Sequence, residues 1–371
     1  MLWISVYFAV VLFVILTYKK KERVVLENDQ NRSGYSEDRR DKLVLVLLAV
    51  YALLFAVVNL ICTRTSVSYG SDRENYLTEF RGQRKTSVGL EIVFNVFRFT
   101  SDNFEHVLLF TTFFSLLIIL FAHKIFENSS NVSLAFLLTT DLVFFTFTAL
   151  KQSFACAFVA LFFVFLFKKR TVCRGIVCFL LLVLAIVFHT SSVVLIPIFI
   201  VCYFKKINKT VMVVYMILLV LLFVFFVDIG TILSTITRPI FPRLSELLTR
   251  HFSSVGGDES STIAFLKGIP FYLLLAFGFF YRRRLQGSYP NYDKYLIVLA
   301  TASMLYMCSI YIYWTLRFRA FFYLPAAIFF GTIYTNLSKK EKVVFLVSVI
   351  GSNLFLLIRW VLLIYTKYGG F

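Results

Sequence analysis

Apolar runs long enough to enter a bilayer recur along the whole 371-residue chain, and short clusters of lysine and arginine separate them. A helix needs about 20 apolar residues to cross a hydrocarbon core. Backbone groups there must bond one another, so such runs become helices. Composition agrees: 59% of residues are hydrophobic, 16% are charged, and 45 Phe and 20 Tyr suit lipid-facing helices and interfacial belts. Mean hydropathy is +0.82. The net charge of +18 could suggest nucleic acid. Its distribution in clusters between apolar runs is instead what the positive-inside rule predicts, so no nucleic acid partner is expected.

Putting every dense basic cluster on one side defines a topology. Clusters at 19–23, 39–42, 168–174, 205–209, 282–284 and 339–342 all fall in the cytoplasm if the chain makes about 12 crossings with both termini outside. The expected spans are 2–18, 43–62, 106–122, 132–149, 153–167, a broken pair over 175–204, 210–227, 263–280, 294–314, 320–336 and 343–365. Residues 19–42 are then a basic cytoplasmic loop, and 63–105 and 228–262 are outer loops. No repeat or linker divides residues 1–371, which read as a single transmembrane domain. The first span has no basic leader and is followed by Lys19-Lys20-Lys21, so it reads as a retained helix. The fold class is an all-α polytopic transmembrane helical bundle. The six cysteines are scattered without metal-site spacing.

The broken pair follows from arithmetic. The run from Gly175 to Phe204 is too long for one crossing and too short for two. Basic clusters flank both ends, so the run goes in and returns, turning at Phe188-His189-Thr190-Ser191-Ser192. Irregular backbone at membrane depth needs a protein or wet cavity around it. An ionisable residue there is a functional candidate by default. The plain alternative is a turn whose polar side chains only satisfy freed backbone groups.

Cations also collect on the opposite, outer side. The first outer loop carries Asp72 and Tyr76, four apart and so on one face of a short helix, with Arg73 between them. Lys151 and Gln152 mark the next outer turn, His189 the third, and Arg317 and Arg319 the last, with Tyr323 one turn beyond. Topology disfavours positive charge there, which points to a bound anion, a lipid phosphate or diphosphate. The plain alternative is contact with lipid headgroups.

Four short elements occur in order: Gly70-Ser71-Asp72-x-x-x-Tyr76, Lys151-Gln152-Ser153-Phe154-Ala155, His189-Thr190-Ser191-Ser192-Val193-Val194, and Arg317-x-Arg319-x-x-x-Tyr323. Together they resemble the EpsG-type family of bacterial polysaccharide polymerases, related to Wzy-type polymerases, over about residues 60–325. One position departs: the family usually has Arg where this chain has Lys151, which keeps the charge and loses the fork. The resemblance implies a GT-C-like membrane glycosyltransferase with short broken helices near the outer face. It implies a multi-pass protein of the bacterial inner membrane whose active site faces the periplasm or exterior. It implies undecaprenyl-diphosphate-linked oligosaccharides as donor and acceptor, with undecaprenyl diphosphate as leaving group. A flippase and a chain-length regulator are the implied partners besides membrane lipids. Asp72 is then the first candidate for general base and His189 the second. Lys151, Arg317 and Arg319 are the candidates for the diphosphate, with Gln152 and Arg73 beside them. Tyr76 and Tyr323 would stack on sugars or hydrogen-bond phosphates. Asp141, within the span 132–149, would pair with a cation. No cofactor and no metal are expected. A polysaccharide ligase, or a flippase or transporter of lipid-linked sugars, stays open beside the polymerase.

Overall fold

The computed structural model describes residues 46–57, 71–101, 103–140, 142, 149–204, 207–221, 239, 266–309 and 313–367, with backbone alone at 71–73, 313–317 and 356–367. The expected first span, the loop 19–42, the outer loop 228–262 and Asp141 lie outside the described residues.

Among the described residues all regular structure is helical. In chain order the helices are α1 (Val46–Val57), α2 (Ser71–Phe80), α3 (Val88–Thr100), α4 (Phe104–Ile125), α5 (Asn131–Thr139), α6 (Leu150–Phe167) and α7 (Val172–Phe188). The irregular leg α8 (Thr190–Phe204) follows, then α9 (Lys209–Leu221), α10 (Ile269–Leu285), α11 (Tyr292–Cys308), α12 (Tyr323–Thr335) and α13 (Lys339–Lys367). A 3₁₀ stretch, Tyr313–Phe322, leads into α12.

By length and composition, Phe104–Ile125, Leu150–Phe167 and Phe318–Thr335 can each cross a membrane. The last two are also the most enclosed, 78% and 83% buried, so they form the centre of the bundle. Phe162, Phe163, Phe322, Phe329 and Phe330 are fully buried there. In lipid, such packing rests on dispersion and close approach more than on expelling water. Gly278 shows how close: a Cβ there would meet Leu296 and Phe329 at 2.8 Å, so α10, α11 and α12 converge on the missing side chain.

The broken pair is a hairpin. Helix α7 ends at Phe188, and His189 is extended at φ −148°, ψ 109°. The polar triplet after it competes for backbone partners: Ser192 Oγ donates to the Ala185 carbonyl at 3.3 Å. The return leg α8 is 3₁₀ over Thr190–Leu195, α over Ile196–Phe199 and π over Ile200–Phe204. Pro197, with no N–H to give to Val193, suits that irregularity. The ends of the hairpin meet. Tyr203 Oη donates to the Thr171 carbonyl at 2.7 Å, and Arg170 donates to the Phe204 carbonyl at 3.4 Å.

The stretch 63–105 contains α2, the short helix expected at Asp72, and α3. Helix α3 buries Leu90 and Phe94 and exposes Val88, Ile92, Val96 and Phe99 as a second apolar stripe, the pattern of a helix lying in a membrane interface. The expected span 132–149 is not one helix: α5 stops at Thr139, after nine residues, about 13 Å, too short to cross. The Thr139 and Thr140 hydroxyls bond back to the Phe136 and Leu137 carbonyls at 2.8 and 2.6 Å, and Thr140 is extended. Those bonds close the helix end with local partners.

Candidate functional site

Six of the expected residues, Tyr76, Lys151, Gln152, His189, Arg319 and Tyr323, stand at one end of the bundle, where α2, α3, the start of α6, the hairpin apex and the 3₁₀ stretch meet. Phe188, next to the apex, links them. Its ring is 4.8 Å from that of Phe154, one turn into α6, and a Cβ on Gly89 of α3 would meet it at 2.8 Å. Gly89 therefore lets α3 press directly on the apex.

His189 is half-buried, and its Nδ1 is hydrogen-bonded to Ser191 Oγ. Its ring lies 6.5 Å from that of Phe321, edge to face. His189, Thr190 and Ser191 stand on the rim of a cavity of about 1000 Å³. The walls are mostly apolar: Val193, Val194, Pro197 and Ile200 of α8, Leu218 and Leu219 of α9, Met304 and Leu305 of α11, and Phe318. Deeper, Tyr215 and Thr301 hydrogen-bond across the wall at 2.7 Å. Val193, Ile200 and Leu218 line this cavity and are also exposed, so it opens sideways between α8 and α9.

Arg319 is 9% exposed, beside Phe318 of the same cavity. It and Tyr306 both hydrogen-bond the Tyr323 hydroxyl. The Tyr323 ring is buried against Phe271 at 5.9 Å, so what Tyr323 offers the site is its hydroxyl, which braces Arg319. Arg317 belongs to the same 3₁₀ stretch by its backbone.

Lys151 occupies the first turn of α6, with Gln152 buried behind it. Its Nζ lies 5.5 Å above the Tyr76 ring and 3.0 Å from Oε1 of Glu79. Glu79 is a residue that the sequence reading missed. It is three residues past Tyr76 and seven past Asp72, so positions 72, 76 and 79 share one helical stripe. That spacing was the available signal. Asp72 and Arg73 open α2 by their backbone, and the stripe sets position 72 about 10 Å along the axis from Glu79. The other loop cations go elsewhere: Arg84 bonds Asn75 Oδ1 at 3.0 Å, and Arg98 holds the Phe80 carbonyl at 2.7 Å.

The described residues contain no group of three or more His, Cys, Asp or Glu able to hold a metal ion. What the arrangement provides is a rim of imidazole and hydroxyl groups on an apolar chamber, with the Arg319 guanidinium next in sequence to the lining residue Phe318. That suits an amphipathic ligand with an anionic head.

A family model described as the EpsG family matches residues 44–368. No curated protein and no solved structure matches the chain.

Proposed function

We propose that this chain, which belongs to the EpsG family, is a membrane polysaccharide polymerase with a GT-C-like bundle of about 12 crossings. It joins oligosaccharide repeat units carried on undecaprenyl diphosphate, at a site facing the periplasm or cell exterior. One observation carries the reading: a polar rim with His189 and Arg319 nearby opens on an apolar cavity of about 1000 Å³ that reaches the bundle's side. A lipid-linked diphosphate sugar has that division, a hydrocarbon chain for the chamber and a charged head for the rim.

The chemistry assigns roles. An acceptor hydroxyl attacks the anomeric carbon of the donor. The carbon–oxygen bond to the diphosphate breaks, and the hydroxyl proton passes to a base. His189, held through Nδ1 by Ser191 Oγ, is one candidate to take that proton. Asp72, placed first from the sequence, is the other candidate base. Arg319 and Lys151, with Arg317, stabilise the departing diphosphate, Arg319 through its fork and Lys151 as a point charge.

The test supplies purified protein with a lipid-diphosphate-linked repeat unit and reads the glycan ladder on a gel. Wild type builds a ladder. His189→Ala and Arg319→Ala lose it while eluting as folded protein, and Asp72→Asn ranks the two bases. A ladder that survives both His189→Ala and Arg319→Ala moves the chemistry away from this cavity. The sideways opening and the broken hairpin also suit a lipid-linked sugar flippase. Transport into proteoliposomes without any ladder would favour that reading.

A further inference from the structure

The Glu79–Lys151 pair is built unlike a surface salt bridge. Its two side chains are unequally enclosed: that of Lys151 is 24% exposed, that of Glu79 only 6%. The carboxylate therefore lies behind the ammonium, on the protein side of it. Oε1 of Glu79 meets Nζ at 3.0 Å, while Oε2 is buried with no hydrogen bond among the described residues. The backbone under it is clamped. Arg98 donates to the carbonyls of Glu79 and Phe80 at 3.3 and 2.7 Å, and Glu91 holds Arg98 at 3.0 Å. Phe80 is locked between Phe94 and Phe104 at 5.5 and 5.6 Å. Burying a carboxylate with one oxygen unsatisfied is costly, and an apolar pair of similar size would often hold two helices as well. Stability gives this chain little reason to keep Glu79. The charge balance of the site gives one.

We propose that Glu79 is a positioning residue that sets the net charge behind Lys151, and so sets how tightly the site holds a prenyl diphosphate. This rests on the polymerase reading above. The product of each transfer is a lipid diphosphate, which must leave before the next donor enters. Lys151 at the N-terminus of α6 adds its charge to the positive end of a helix. Together they would grip a diphosphate strongly in a low-dielectric site. Glu79 offsets that grip while Tyr76, on the ammonium's other flank, keeps Lys151 in place. The ligand class is an alkyl or prenyl diphosphate, and the matching monophosphate carries too little charge to depend on Glu79 as strongly.

The sign of one measurement decides. Purified full-length protein in detergent is titrated with a C15 prenyl diphosphate, and with the monophosphate of the same chain. Glu79→Gln keeps the side chain's size and removes its charge, so diphosphate binding tightens roughly tenfold. Monophosphate binding changes less. In the polymer assay the same variant lowers kcat and KM together, because release slows. A residue with a merely structural role would loosen binding when replaced, and that result overturns the proposal, as does unchanged binding. If Glu79→Gln does not fold, Lys151→Gln is compared with the double variant Glu79→Gln/Lys151→Gln. The double variant recovers diphosphate affinity lost in the single one, and a double variant no better than the single overturns the proposal. If wild type itself binds no prenyl diphosphate, the polymerase reading falls. If wild type binds and only the variants misbehave, this inference alone falls.

Discussion

The two ends of the bundle are made from the same residue types and use them differently. At the end where the basic clusters gather, carboxylates and backbone carbonyls take up much of the positive charge. Arg282 forks onto Asp293 at 2.9 and 3.1 Å, and Gln286 donates to the same carboxylate at 2.7 Å. Arg284 and Tyr281 meet Glu341 at 3.5 and 3.1 Å. Asn291 and Lys294 cap the last carbonyls of α6, those of Phe167 and Leu166, at 2.5 and 3.0 Å. These contacts tie α6, α10, α11 and α13 together. At the His189 end, Glu79 is the carboxylate seen facing Lys151, Arg319 is braced by a tyrosine hydroxyl, and His189 by a serine. Those contacts hold side chains near the apex, while Arg98, held by Glu91, ties the last carbonyls of α2. The difference teaches that charge goes mainly to assembly at one end, whereas on the proposed reading Lys151, His189 and Arg319 serve a ligand at the other.

The sharpest way to break this comparison is to remove one group from each end. His189→Gln keeps a polar side chain at the apex and removes the titrating group. Polymer formation should fall by about 10²–10⁴, with the thermal midpoint in detergent nearly unchanged. Arg282→Ala should do the reverse. It strands the mostly buried Asp293, at a cost of about 3 kcal/mol of stability. Thermal unfolding followed by tryptophan fluorescence reads the loss. If His189→Gln unfolds the protein, or if Arg282→Ala leaves the midpoint alone, the division between the ends is wrong.

A smaller effect comes from the contact that joins α3 to the apex. Gly89→Leu drives a side chain into Phe188, whose ring atoms already lie 2.8–2.9 Å from where a Cβ would sit. Overpacking of this kind costs about 1–3 kcal/mol. Because Phe188 precedes His189, transfer activity should fall further than the midpoint shift alone accounts for. Ser87→Ala, at the N-cap just before the same helix, where the side chain makes no cap bond, is the control. Equal loss of activity in both variants would detach the apex from α3.

The all-helical class and the hairpin were legible in the sequence because bilayer thickness and charge asymmetry are coarse rulers. The hairpin at His189 came from length and flanking lysines, and the meeting of Arg170 with Phe204 agrees with it. The early stop of α5 was not legible. Two threonines bonding their own helix carbonyls leave no mark in hydropathy. In the site, Lys151, His189 and Arg319 stood out because charge is rare in apolar runs. Glu79 did not, since it lies in a polar stretch, and its meaning comes from a partner 72 residues away. The cavity was invisible for the same reason. Its walls come from α8, α9 and α11, and each reads alone as ordinary membrane helix.

The smallest effect tests the assembly end by pH. Ser338-Lys339-Lys340-Glu341 opens α13 as a capping box, with the Ser338 N–H donating to Glu341 Oε2 at 2.7 Å. Bonding from the Ser338 side chain first, then its backbone, holds the Glu341 carboxyl down from 4.5 to about 2. A carboxylate held below its unfolded value stabilises the fold above that value and loses the contribution as pH falls through the folded one. The cap is therefore at full strength above about pH 4.5 and lost by about pH 2. Glu341→Gln should lower the thermal midpoint slightly at pH 7, with polymer formation intact. The gap from wild type should narrow below pH 4.5 and close near pH 2. Glu341 is only half-buried and its partner Arg284 is exposed, so salt should shrink the part of the gap that comes from Arg284 and spare the part that comes from the cap. A gap that is flat across this range would mean that Glu341 acts through packing. The end of the bundle assigned to assembly would then be held by less charge than its contacts suggest.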